Sequence, residues 1–64
     1  MIVRVDATWN GGREGFGFRL TLPDGRREEM RGEAWTRRTA SEALDILEKV
    51  YHVKRSAVRF DVHA

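Results

Sequence analysis

A change of apolar rhythm constrains this chain most. Three segments carry apolar residues at every second position, one carries them at every third or fourth, and their order leaves few folds open. Residues 2–9, IVRVDATW, put Val3, Val5, Ala7 and Trp9 on one side and Arg4, Asp6 and Thr8 on the other, the pattern of a half-buried strand. Asn10-Gly11-Gly12 follows, a turn signal because Asn and Gly tolerate positive φ. Residues 15–22, GFGFRLTL, alternate again, with Phe16, Phe18, Leu20 and Leu22 on one face and Gly17, Arg19 and Thr21 on the other. Pro23-Asp24-Gly25 reads as a second turn. Residues 26–35, RREEMRGEAW, have only Met30 and Ala34 as apolar members of one parity. A strand this charged belongs at a sheet edge, where charge discourages pairing with foreign strands.

The rhythm then lengthens. Thr39-Ala40-Ser41-Glu42 has the spacing of a capping box, and a helix over about residues 40–52 is expected after it. Ala40, Ala43, Leu44, Leu47, Val50 and Tyr51 form its apolar stripe, and Asp45 and Lys49 are set for an i,i+4 pair on its outer side. Residues 57–63, AVRFDVH, return to period two: Val58, Phe60 and Val62 oppose Arg59, Asp61 and His63. The order is therefore βββαβ. A helix returning the chain to the sheet places the last strand parallel to the first, by a right-handed crossover. The expected fold is α+β: one domain over 1–64, with a four-stranded mixed sheet of order 3-2-1-4 and one helix on one face.

At 64 residues such a layer pair has a marginal core, good for about 3–5 kcal/mol below roughly 70–80 residues. With no cysteine, disulfides and thiolate zinc sites are excluded as staples. The two histidines, His52 and His63, lie too far apart in sequence to read as a zinc site. Self-association is the remaining stabiliser, and a homodimer or larger homo-oligomer is expected. No apolar run approaches the ~20 residues of a membrane span, and the N-terminus has no signal-peptide pattern, so a soluble cytoplasmic protein is expected. The isoelectric point near 9.7 suggests nucleic acid, but net charge is only +2. Ten of the twelve basic residues are Arg with acids interleaved, which reads as a paired, solvated face and supports nucleic-acid binding only weakly.

Three acids stand where chemistry is conceivable: Asp6 in the first strand, Glu42 at the helix start and Asp61 in the last strand. Their order resembles ribonuclease H. Val5-Asp6-Ala7-Thr8 is similar to that family's first aspartate segment, Gly15-Phe16-Gly17 to the glycine-rich start of its second strand, Thr39 to Leu44 to its helix-opening glutamate segment, and Val58-Arg59-Phe60-Asp61 to the strand ending in its second aspartate. The resemblance spans the whole chain but only the N-terminal half of the family's domain. It implies a nuclease in which Asp6, Glu42 and Asp61 hold two Mg²⁺ ions that position a water and stabilise the leaving oxygen. The missing fourth acid would come from a second subunit. The strand parities argue the other way. If the one helix covers the face of Val3, Val5, Ala7, Phe18, Leu20, Val58 and Phe60, then Asp6 and Asp61 point away from Glu42, into the company of Arg4, Arg19, Arg59 and His63. Glu42 is then a capping residue.

The chain also resembles the N-terminal module of HicB-type antitoxins, a partial ribonuclease H-like fold of the same order. The likeness lies in Ala7-Thr8-Trp9-Asn10, the aromatic-rich second strand and the Thr-x-x-Glu-Ala-Leu run from Thr39 to Leu44. That resemblance implies a non-catalytic, self-assembling module without a cofactor that binds a small toxin partner. Arg31-Gly32-Glu33-Ala34-Trp35 replaces the Pro-Gly segment that this family carries before the helix. Gly15-Phe16-Gly17-Phe18 is similar to the RNA-binding strand of RRM domains, but Phe16 and Phe18 share a face with Leu20 and Leu22 and read as core. Trp9 is expected to close the core. Trp35, Arg37 and Arg38 are the expected partner surface, because Trp and Arg dominate interface energetics. Arg4, Arg19 and Arg59 are the expected contacts of the uncovered sheet face. The expected function is a small homo-oligomeric interaction module, with the Mg²⁺-dependent nuclease as the alternative.

Overall fold

In the computed structural model, residues 1–10 and 17–63 are described. Strand β1 runs Val3–Trp9, β2 Phe18–Thr21 and β3 Arg27–Met30. Helix α1 runs Arg37–Tyr51, a short 3₁₀ turn occupies Arg55–Ala57, and β4 runs Val58–His63. The fold is α+β, with sheet order β3-β2-β1-β4. The first three strands pair antiparallel as a meander, and β4 pairs parallel to β1. This is the expected βββαβ topology. Phe16 and the Asn-Gly-Gly turn beyond Asn10 lie outside the described residues.

Alternation decides the faces. Val5, Ala7, Phe18, Leu20, Met30 and Val58 are buried on one side of the sheet, where they meet Ala43 and Leu47 of α1 and Leu22. Val3, Trp9, Trp35, Leu44, Ile46, Tyr51, Val53 and Phe60 pack around them. A row of edge-to-face aromatic contacts crosses this side: Trp9 to Phe18 at 5.2 Å, Phe18 to Trp35 at 5.1 Å, and Trp35 to Phe60 at 5.0 Å between ring centroids. Ala7, fully buried on β1, is the small residue between the two ends of the span that Trp35 bridges, since Phe18 lies opposite Trp9 and Phe60 opposite Val5.

Several local expectations need correction. The charged third strand is at a sheet edge as expected, but it ends at Met30, and Ala34 is exposed beyond it. The helix begins three residues before the Thr39–Glu42 box. Thr36 is the N-cap, its hydroxyl accepting from the Thr39 N–H at 3.2 Å. Thr39 is buried at 7% exposure and donates its own hydroxyl to the Ala34 carbonyl at 2.8 Å. Glu42 is therefore already inside the helix, on its surface, 3.7 Å from Arg38 one turn back. Thr36-Arg37-Arg38-Thr39 lacks the acid or amide that marks a capping box, so the cap has no strong sequence signal. At the other end His52 adopts a left-handed conformation (φ 57°), and the N–H groups of His52 and Val53 reach the Leu47 carbonyl. Val50 is 55% exposed and leaves the apolar stripe, while Ile46 joins the core. Asp45 pairs with Arg55 of the 3₁₀ turn, not with Lys49. Replacing Thr36 with alanine is expected to cost about 0.5–2 kcal/mol, and Thr39→Ala to cost as much again through the lost Ala34 contact, measured by urea unfolding. A neutral Thr36→Ala would show that the helix starts elsewhere.

Candidate functional site: the open sheet face

The face of the sheet turned away from α1 carries the opposite parity of every strand. Its side chains are Arg4, Asp6 and Thr8 from β1, Arg19 and Thr21 from β2, Arg27 and Glu29 from β3, and Arg59, Asp61 and His63 from β4. None of them is buried. The registers arrange them in cross-strand rows. One row is Arg27, Thr21, Asp6 and Asp61, and the next is Glu29, Arg19, Thr8 and His63. Arg4 lies directly opposite Arg59. Parallel pairing thus sets two like-charge pairs side by side, Arg4 with Arg59 and Asp6 with Asp61.

The two ends of the face are compensated differently. Around β2 the charges are matched: Arg19 Nε meets Glu29 Oε1 at 2.8 Å, and Asn10 Nδ2 donates to Glu29 Oε2 at 3.3 Å. Around β4 they are not. Among the described residues no Arg or Lys pairs with Asp6 or Asp61. Only His63 does, with Nε2 3.2 Å from Asp6 Oδ1 and 4.0 Å from Asp61 Oδ2. Arg59 folds its guanidinium onto the Val58 carbonyl at 2.9 Å instead of meeting an acid. Elsewhere most described acids find an Arg: Asp24 with Arg26, Glu42 with Arg38, and Asp45 and Glu48 with Arg55. At the β3 edge Tyr51 donates its hydroxyl to Glu28 Oε2 at 2.8 Å, which raises the phenol above its ordinary pKa, and Arg26 stacks 4.6 Å over its ring.

The three acids of the nuclease alternative do not come together. Asp6 and Asp61 are neighbours on the open face. Glu42 belongs to α1, which packs Ala43 and Leu47 against the opposite face, and it is paired with Arg38. Asp6, Asp61 and His63 place one donor atom each within 4.8 Å of one another, the one such group among the described residues, and Glu42 is not part of it. Two carboxylates and an imidazole suit a single transition ion better than a magnesium pair. The residues here therefore do not fit the two-magnesium centre that the ribonuclease H resemblance implies. His63, expected from strand parity in the company of Asp6 and Asp61, is the third member of the group. The register brings His63 opposite Thr8 and so one row from the aspartates.

The remaining candidates divide. Trp35 is half-buried in the aromatic row, holding Phe18 and Phe60 together. Arg37 and Arg38 are exposed on the first turn of α1. Arg4 and Arg59 are exposed on the open face, and Arg19 is tied to Glu29. Among the described residues no helix is long and apolar enough to cross a membrane. The chain matches no known protein family, no curated protein and no solved structure.

Like charges directly opposite in a sheet are destabilising by a few tenths of a kcal/mol up to about 1. Asp6→Asn is therefore expected to raise stability by about 0.5 kcal/mol in urea titrations at low salt, with the gain shrinking at high salt. A loss of stability would mean that the Asp6 contact with His63 outweighs the repulsion between the two carboxylates.

Proposed function

We propose that this chain is a non-catalytic interaction module that associates with itself. The observation that carries the reading is the open sheet face: among the described residues no layer covers it, and it is furnished with charged side chains. The separation of Glu42 from Asp6 and Asp61 supports a non-catalytic role over metal-dependent hydrolysis. The module is similar in element order and motif to the partial ribonuclease H-like domain of HicB-type antitoxins. By that likeness, Arg37 and Arg38 at the exposed start of α1, backed by Trp35, offer a surface to a small protein partner. Sedimentation velocity over a range of about 10 μM to 1 mM tests the reading, because small interfaces give weak, concentration-dependent association. A mass that rises with concentration supports it. A monomer throughout that range removes it.

A further inference from the structure

We propose that the partner at β4 is a second copy of this chain, added antiparallel along β4 about a two-fold axis at Phe60, so that two four-stranded sheets become one of eight strands. This rests on the self-association reading above and gives it a surface and a register.

The two edges of the sheet are unlike. β3 is short and charged on both faces, with Arg27 and Glu29 outward and Glu28 held by Tyr51 on the helix side. Such an edge resists a foreign strand. β4 is longer and carries charge on its open face only: its helix-side residues are Val58, Phe60 and Val62, and Val62 is 39% exposed. Among the described residues, β1 is the one strand that pairs with it.

Antiparallel pairing of β4 with itself allows few registers, and the charges select between them. With Phe60 opposite the partner's Phe60, Val58 meets the partner's Val62, Arg59 meets the partner's Asp61, and Asp61 meets the partner's Arg59. Moving the axis by one residue to Asp61 sets Asp61 against the partner's Asp61, and like charges directly opposite are unfavourable. The Phe60 register also relieves what the parallel β1–β4 register imposes within the chain, where Arg59 faces Arg4 and Asp61 faces Asp6. Across the joined sheet one row reads Arg4, Arg59, the partner's Asp61 and the partner's Asp6. The row beside it is the same in reverse. Each like-charge pair gains an opposite neighbour, and Arg59 gains an acid in place of the Val58 carbonyl. Such an isologous contact closes on itself as a dimer.

Because the chain has no cysteine, thiols can be introduced one at a time without background. Arg59→Cys and Asp61→Cys chains are prepared separately, mixed, and oxidised mildly. In the proposed register the two new thiols are directly opposite each other, with Cα atoms about 4.5–5.5 Å apart, within disulfide reach. In a dimer of either variant alone the thiols are offset by two residues, about 8 Å apart, beyond that reach. The mixed pair also keeps one Arg59–Asp61 contact, whereas a dimer of either variant alone keeps none. The expected result is a covalent heterodimer in the mixture, at least about tenfold over the covalent homodimers that either variant gives alone. Charge reversal adds a second readout: Arg59→Asp or Asp61→Arg alone abolishes dimerisation, and the double variant restores it. A wild-type chain that stays monomeric up to about 1 mM overturns the self-association reading and this proposal with it. A wild-type dimer without selective cross-linking in the mixture overturns the β4 register and leaves self-association standing.

Discussion

Gly17→Ala is expected to leave the chain largely unfolded at room temperature. A Cβ on Gly17 would stand 2.3 Å from the carbonyl oxygen of Gly32, 2.4 Å from its nitrogen and 2.9 Å from its carbonyl carbon. All three are backbone atoms, so no side-chain rotation gives way. The two segments are also tied together: the Gly17 N–H donates to the Met30 carbonyl at 3.1 Å, and the Gly17 carbonyl accepts from Asn10 at 2.9 Å. Opening the contact would strain both bonds and pull on the loop that Thr39 anchors through Ala34. Overpacking costs about 1–3 kcal/mol or more even where side chains can yield, and a fold of this size holds only about 3–5. Circular dichroism and urea titration measure the outcome. Gly32→Ala is the control, because its Cβ would meet nothing closer than Thr39 Cγ2 at 3.7 Å, an ordinary contact. Equal effects from the two variants would contradict the close crossing of these backbones.

Leu47→Ala is the second large effect. Leu47 is fully buried, one of the three largest side chains wholly out of solvent, and it seats α1 on the sheet beside Ala43. Truncating such a leucine costs about 2–5 kcal/mol from lost transfer energy and the cavity left behind. Alanine's higher helix propensity returns only a few tenths. The expected loss is thus close to the stability of the monomer. Unfolding midpoints should fall steeply and, if the chain self-associates as proposed, depend on protein concentration, because association shifts the apparent stability by mass action. Val50→Ala, one turn further on at an exposed position, should cost under about 0.5 kcal/mol. A Leu47→Ala loss below about 1 kcal/mol would mean that the helix is not held by this seam.

Those two sites mark where sequence reading succeeds and where it stops. Element order, sheet order and the face of each strand are legible because a period of two leaves a half-buried strand only one sensible orientation. The placement of Asp6 and Asp61 on the face away from α1 follows from parity alone. Leu47 is legible for the same reason, at helical spacing from Ala43 and Leu44. The contact between Gly17 and Gly32 is not, because it joins residues fifteen apart whose own neighbourhoods say nothing of each other. The helix start is missed because Thr36 caps it without an acid three residues on, while Thr39 and Glu42 offer a more familiar but later pattern. Trp35 looks like a surface residue at the end of a charged segment. Its burial depends on the gap over Ala7 between Phe18 and Phe60, which exists only once β1, β2 and β4 are aligned. The candidate site divides in the same way. The charges of the open face, and the neighbourhood of Asp6, Asp61 and His63, are read from parity and the expected parallel strands, whereas which residue stands directly opposite which requires the register.

In the proposed dimer the exposed β4 edge and its open-face charges bring two copies together. Sedimentation equilibrium of the wild type, Arg59→Asp, and the Arg59→Asp/Asp61→Arg double variant tests it most directly. A monomer–dimer equilibrium is expected for the wild type, a monomer for the single variant, and a dimer again for the double variant. A wild type that remains monomeric, or a single variant that dimerises as well as the wild type, would contradict it.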